Sequence, residues 1–181
     1  MREAIASTRR RICATLVDGL LFLPLYMLDK RVNTVGGDEK LVFVYFLLTL
    51  QLSWLYTTVL HGWRGQTVGK MLLGVRVVRS DTRGQLGWPR AVLRDLPIIV
   101  LVACASVVWV YWNVAYFAGQ ESGEIDQSAE QLFAVIANAD ILWFLLEVGT
   151  MIAHPQRRAL HDLIAGSVVI QVEPPPPRTP S

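Results

Sequence analysis

Apolar and polar positions alternate along this chain on the scale of whole helices. Apolar runs occupy residues 11–28, 41–61, 96–118 and 132–153, each near the ~20 residues that cross about 30 Å of hydrocarbon. The pattern predicts an all-α polytopic membrane protein with four transmembrane helices. The first run is the weakest. It is short, it contains Pro24, and Asp18 stands in its middle, in Leu16-Val17-Asp18-Gly19-Leu20. A carboxylate there costs about 2.5–3.5 kcal/mol on insertion scales, whereas each Leu, Ile, Val or Phe returns only about 0.3–0.6. Such a group is by default a functional or assembly candidate that faces a bundle interior.

Outside the runs the pattern changes period. Val75-Arg76-Val77-Val78-Arg79 and the alternating stretch after Gly166, with Val168, Ile170 and Val172 on one side, are the short β-branched segments. They are expected to pair, 75–79 with 168–173, as a small sheet tying the 62–95 loop to the tail. Residues 156–166 read as an amphipathic helix, with Ala159, Leu160, Leu163 and Ile164 on one face and Arg158, His161 and Asp162 on the other. Pro89 opens a further helix whose Arg90 and Arg94 share a face expected to meet lipid phosphates, at least as ordinary interfacial anchors. Residues 174–181 are a Pro-rich tail expected to be extended and disordered. The domain layout is thus an N-terminal segment (1–10), one membrane domain (11–173) and that tail.

Composition agrees. Apolar residues make up 52% and charged residues 18%, with six Trp and a mean hydropathy of +0.38. Of the 17 Lys and Arg, all except Lys30, Arg31 and Lys40 fall in the N-terminus, the 62–95 loop or the C-terminal segment. The 119–131 loop carries Glu121, Glu124, Asp126 and Glu130 without a basic residue. The positive-inside rule then places both termini in the cytoplasm of a multi-pass plasma (inner) membrane protein, against anionic headgroups. A cleaved signal peptide is not expected, because Asp18 interrupts the apolar region and three more runs follow. Cys13 and Cys104 read as small packing residues rather than a disulfide. His61, His154 and His161 lack metal-site spacing. No cofactor, metal, enzyme activity or nucleic-acid partner is expected.

Gly65-Gln66-Thr67-Val68-Gly69-Lys70 has three residues between its glycines and Met71 after the lysine, so it is no phosphate loop. A tight structural turn suits it better. With Gly74-Val75-Arg76-Val77-Val78 behind it, Arg11 and Asp18 in the first run, and Leu160-His161-Asp162-Leu163-Ile164-Ala165-Gly166 near the end, the chain resembles the RDD-domain membrane proteins over roughly residues 9–170. The resemblance maps the family's Arg and two Asp onto Arg11, Asp18 and Asp162, with Arg94 also fitting. Ser167 stands where the family often has Thr. The likeness implies the fold more firmly than an activity; some members are linked to exchange of sodium or other cations for protons.

Arg11 and Asp18 are about 10 Å apart along a helix, too far to bond directly. Asp140 and Glu147 repeat that spacing in the fourth run. Depth counting puts Asp18 and Glu147 at one level, where two carboxylates in a dry site would share a proton unless a cation compensated. Asp18, Glu147 and Asp140 are therefore a candidate ion or proton site, with Gln51, Ser53, Thr57, Asn113 and Asn138 as further oxygens. The alternative is that these groups join helices or subunits. Two functions stay open: a transporter of a cation or small solute, oligomeric because four spans enclose little polar volume, or a scaffold subunit that holds another membrane protein.

Overall fold

The computed structural model describes residues 4–34, 39–118 and 123–172. In chain order the elements are α1 (Thr8–Thr34), α2 (Glu39–Arg64), α3 (Val68–Leu72), β1 (Val75–Arg79), α4 (Trp88–Phe117), α5 (Gly123–Ala153), α6 (Leu160–Ile164) and β2 (Ser167–Gln171). α1 and α2 overrun their apolar runs at both ends, and α4 and α5 only at their starts, because polar and aromatic boundary residues continue the same backbone. The tip of the acidic loop at 119–122 and the tail at 174–181 lie outside the described residues.

Among the described residues, three helical stretches are long and apolar enough to cross a membrane: Leu41–Arg64, Trp88–Ala115 and Gln127–Ala153. α1 is not among them. Its 27 residues would reach about 40 Å, but four arginines, Lys30, Asp18 and Asp29 dilute its apolar character. It runs on through Pro24, and α4 runs on through Pro97, as membrane helices often do.

α4 packs between α2 and α5, and α1 packs on α2 and on α3. Aromatic contacts fill the α2–α4–α5 side, where Trp109 meets Phe46 (4.3 Å between centroids) and Phe133 (6.3 Å). Tyr45 Oη donates to the Leu25 carbonyl at 2.7 Å, fixing α1 against α2, and Gln51 Nε2 donates to Ser106 Oγ at 2.9 Å, linking α2 to α4.

The tight core lies elsewhere, at the end of the bundle that carries the sheet. β1 and β2 pair antiparallel, with Val75 opposite Gln171 and Val77 opposite Val169, as the alternation predicted. The sheet is widened on both edges. On the β2 side Ala6 N–H bonds Val169 O (3.0 Å) and Gln171 N–H bonds Ala4 O (2.8 Å); on the β1 side Val77 N–H bonds Gly65 O (2.7 Å) and Arg79 N–H bonds Gly84 O (3.0 Å). One face, Val75, Val77 and Val169, is buried with Ala6, Ala14, Leu86 and Ala91.

α6 corrects the amphipathic reading. Asp162 and Ala159 are buried, while Leu163 and Ile164 are exposed. The helix is shorter than the expected 156–166, only Leu160–Ile164, and Asp162 turns inward because its charged partners stand there, while Leu163 and Ile164 turn outward.

Candidate functional site

Asp18 faces α3. Its Oδ1 accepts hydrogen bonds from Tyr56 Oη (2.7 Å) and the Gly69 N–H (2.8 Å), and its Oδ2 from Thr67 Oγ1 (2.5 Å). Local sequence sets up each donor. Gly65 turns the chain out of α2 at φ +68°, and a Cβ there would lie 2.4 Å from the Val77 carbonyl oxygen. That reversal brings Thr67 to the N-cap of α3, where its Oγ1 accepts from Lys70 N–H at 3.4 Å. A Cβ on Gly69 would fall 2.2 Å from the Ala14 carbonyl oxygen, so glycine is what lets α3 approach α1. Hydrogen bonds to a charged group contribute about 1.5–3 kcal/mol each, so three of them offset the ~2.5–3.5 kcal/mol insertion penalty.

A second polar cluster gathers around Asp162, whose side chain is 0% exposed. It accepts from Arg11 Nη2 (2.5 Å), Arg94 Nε (3.2 Å), Ser167 Oγ (2.9 Å) and the Ala159 N–H (3.2 Å). Arg94 extends the cluster, donating from Nη2 to His161 Nε2 at 2.6 Å. His161 in turn bonds Glu147 through Nδ1. On the other side Arg94 Nη1 lies 3.1 Å from His61 Nδ1, and Lys70 Nζ lies 2.5 Å from His61 Nε2. Asp95 accepts from Thr58 Oγ1 at 2.8 Å and stands 3.6 Å from both His61 and Arg94. Arg11, Lys70 and Arg94 thus face Asp95, Asp162 and Glu147 in one knot. The arrangement keeps buried charges paired.

Burial alone would raise the Asp162 carboxyl, but His161, Arg94 and Arg11 hold it well below the usual carboxylate range. Burial pushes the Lys70 ammonium down to about 7, helped by the Arg94 charge and opposed by Asp95 and Asp162. A lysine so placed can gain or lose a proton near neutral pH.

The knot joins residues from both ends of the chain, and the model of the RDD family matches that whole stretch, residues 5–166. The chain belongs to the RDD family. No curated protein and no solved structure matches it. It is a multi-pass membrane protein with long apolar helices. In this RDD chain the three residues mapped from the family pattern divide into two structures. Arg11 and Asp162 make an ion pair across nearly the whole sequence, whereas Asp18 anchors the Gly65 to Lys70 turn.

Other residues singled out in the sequence fall differently. Asp18 and Glu147 are bonded to separate partners, and among the described residues no hydrogen bond or ion pair joins them. Helix length gave their depth but could not give the direction in which each faces. Asp140 is exposed on the outside of α5. Arg94 does not face headgroups: it is 5% exposed, inside the knot. Ser53, Thr57, Asn113 and Asn138 donate to carbonyls of their own helices. Gln66 Nε2 ties the turn to β1 through the Val75 carbonyl at 2.9 Å. The roles of His61, Asp95, Tyr56 and Thr58 went unread, because isolated polar residues near the ends of apolar runs look like boundary decoration. The adjacent pair Arg94-Asp95 is the signal that could have exposed them.

Proposed function

We propose that this RDD protein is a non-catalytic assembly subunit, whose α5 meets a helix of another chain in the membrane. The observation that carries this is the position of Asp140. It lies at the midpoint of the 127–153 span and is exposed, so lipid alone would leave a carboxylate at the costliest depth. A polar group on a partner helix relieves that cost, as intramembrane polar residues do when they join helices. Asp18 supports the same reading, since its oxygens already hold three donors. In this reading α1 is the fourth span, the partner is a second copy or another membrane protein, and both termini lie in the cytoplasm of the plasma membrane, where the basic residues cluster.

Solubilised gently from its native membrane, the wild type should run in a species larger than the 20.3 kDa chain. Asp140→Leu should release the single chain. If both run as single chains after cross-linking in the membrane, the assembly reading fails.

One observation favours the second reading, cation transport coupled to protons. Lys70, His61, Arg94, His161 and Glu147 form a continuous chain of close polar contacts containing a lysine poised near neutrality. Purified protein in vesicles should then move protons in response to some member of a panel of cations, and Glu147→Gln should stop it. Equal proton flux in wild type, variant and empty vesicles would remove this reading.

A further inference from the structure

A cleft of about 860 Å³ opens beside the sheet, and its lining includes Trp63, Arg64, Gln66, Met71, Arg76 and Arg83. Its charge is one-sided. The described lining residues include three arginines and no carboxylate, and none of the three arginines has an acidic partner within ion-pair distance among the described residues. The ion pairs of the chain instead use Arg11, Arg79, Arg90 and Arg94. Two of the cleft guanidiniums are held in place by uncharged neighbours. Arg64 stacks over the Trp63 ring, 4.3 Å from its centroid, and Arg76 Nε and Nη2 donate to Gln66 Oε1 at 3.4 Å, while the same Gln66 is fixed by its bond to the Val75 carbonyl.

The position of the cleft narrows the ligand. Trp63 and Arg64 end the 41–64 span, and Trp63 is 57% exposed. Aromatic residues of this kind settle at headgroup depth. Guanidiniums present paired donors that match phosphate oxygens, and one neutral wall of Trp63 and Met71 suits whatever apolar part is attached.

We propose that this cleft binds a phosphate-bearing anion, either the headgroup of an anionic lipid or a free phosphate compound. The site is independent of the assembly reading, because α5 does not line it. The mechanism is direct: Arg64, Arg76 and Arg83 supply donors and charge, and Gln66 orients Arg76 toward the opening.

The test uses the full chain. Wild type is reconstituted in nanodiscs of phosphatidylcholine with a minority of phosphatidylglycerol, re-extracted, and its retained lipids are counted by mass spectrometry. In parallel, inorganic pyrophosphate is titrated against protein in neutral detergent. The Arg64→Gln/Arg76→Gln/Arg83→Gln variant is compared with Arg9→Gln/Arg10→Gln/Arg157→Gln, which removes the same charge from exposed positions. Enrichment of phosphatidylglycerol that falls roughly tenfold or more further in the cleft variant than in the control supports a lipid headgroup, because surface charge alone, about fivefold per arginine, lowers both variants alike. Pyrophosphate binding lost in the cleft variant alone supports a free phosphate compound. Should the triple variant unfold, Arg76→Gln alone must still reduce the retained or bound anion. Equal losses in cleft variant and control, or no anion preference in the wild type, overturn the proposal.

Discussion

Asp18 and Asp140 are both carboxylates set within long helices, and the protein treats them in opposite ways. Asp18 sits where α1 meets α3, and three donors from α2 and the following turn converge on it. Asp140 sits on α5, the outer neighbour of α4, and is exposed. The first is resolved inside the chain, so its chemistry concerns folding. The second has its carboxylate on the outside of the chain, and in the proposed reading its chemistry concerns association. A charged residue in an apolar helix therefore does not say where it is met; the fold decides whether it faces its own chain or the outside.

The contrast is sharpest at the sheet end, where the internally resolved region reaches its limit. Asp162→Ala would leave Arg11 and Arg94 buried without their shared carboxylate, and breaking a buried pair in this way costs about 3–5 kcal/mol. Unfolding in detergent, followed by circular dichroism, should show a larger loss for this substitution than for any change at Gly69, Asp18 or Asp140. Gly69→Ala is the next most damaging, at about 1–3 kcal/mol for overpacking, because the added methyl meets the Ala14 carbonyl. Asp18→Asn should destabilise by roughly 1–3 kcal/mol, because the amide keeps one accepting oxygen and turns an NH2 toward a donor that the second carboxylate oxygen had accepted. Asp140→Leu should leave the unfolding of the single chain unchanged or slightly improved, and alter only its association. If Asp140→Leu destabilised the isolated chain as much as Asp18→Asn, the distinction between the two carboxylates would collapse.

A separate signature of the internally resolved region is a pH dependence confined to the knot. The folded pKa of Lys70, about 7, lies below its unfolded value near 10.4, so between these values the unfolded chain binds more protons and stability rises with pH. Below about pH 7 the lysine is charged in both states and the penalty of burying it is fully present. Asp162 acts in the same direction, but at acid pH. Its depressed folded pKa contributes stability that is present above the unfolded value near 3.9 and is lost as pH falls below it. Lys70→Met should flatten the alkaline rise between pH 7 and 10, which denaturation at fixed ionic strength would reveal. An unchanged slope would mean that another group is responsible.

The elements legible in the sequence were those set by local periodicity. Long apolar runs marked α2, α4 and α5, and β-branched alternation gave the pairing of residues 75–79 with those after Gly166. The motif from Gly65 to Lys70 was readable as a structural turn, although its object, Asp18, was not. What stayed hidden depends on which way a side chain faces. The pattern in 156–166 was visible, yet the helix is only Leu160–Ile164 and Asp162 faces inward while Leu163 and Ile164 face outward, because the partners that draw Asp162 in come from α1 and α4. The alignment of Asp18 with Glu147 was sound as a depth and silent about rotation around the helix. His61 and Asp95, from α2 and α4, acquire meaning only once Lys70 and Arg94 are brought beside them.

The edge of β2 that receives residues 4–6 has a consequence for how the protein is made. The backbone bonds from Ala6 to Val169 and from Gln171 to Ala4 join segments separated in the chain by α1, α2, α4 and α5. Residues 4–6 therefore reach these partners only after all four helices have been synthesised, so completion of the sheet is a step that follows synthesis of β2.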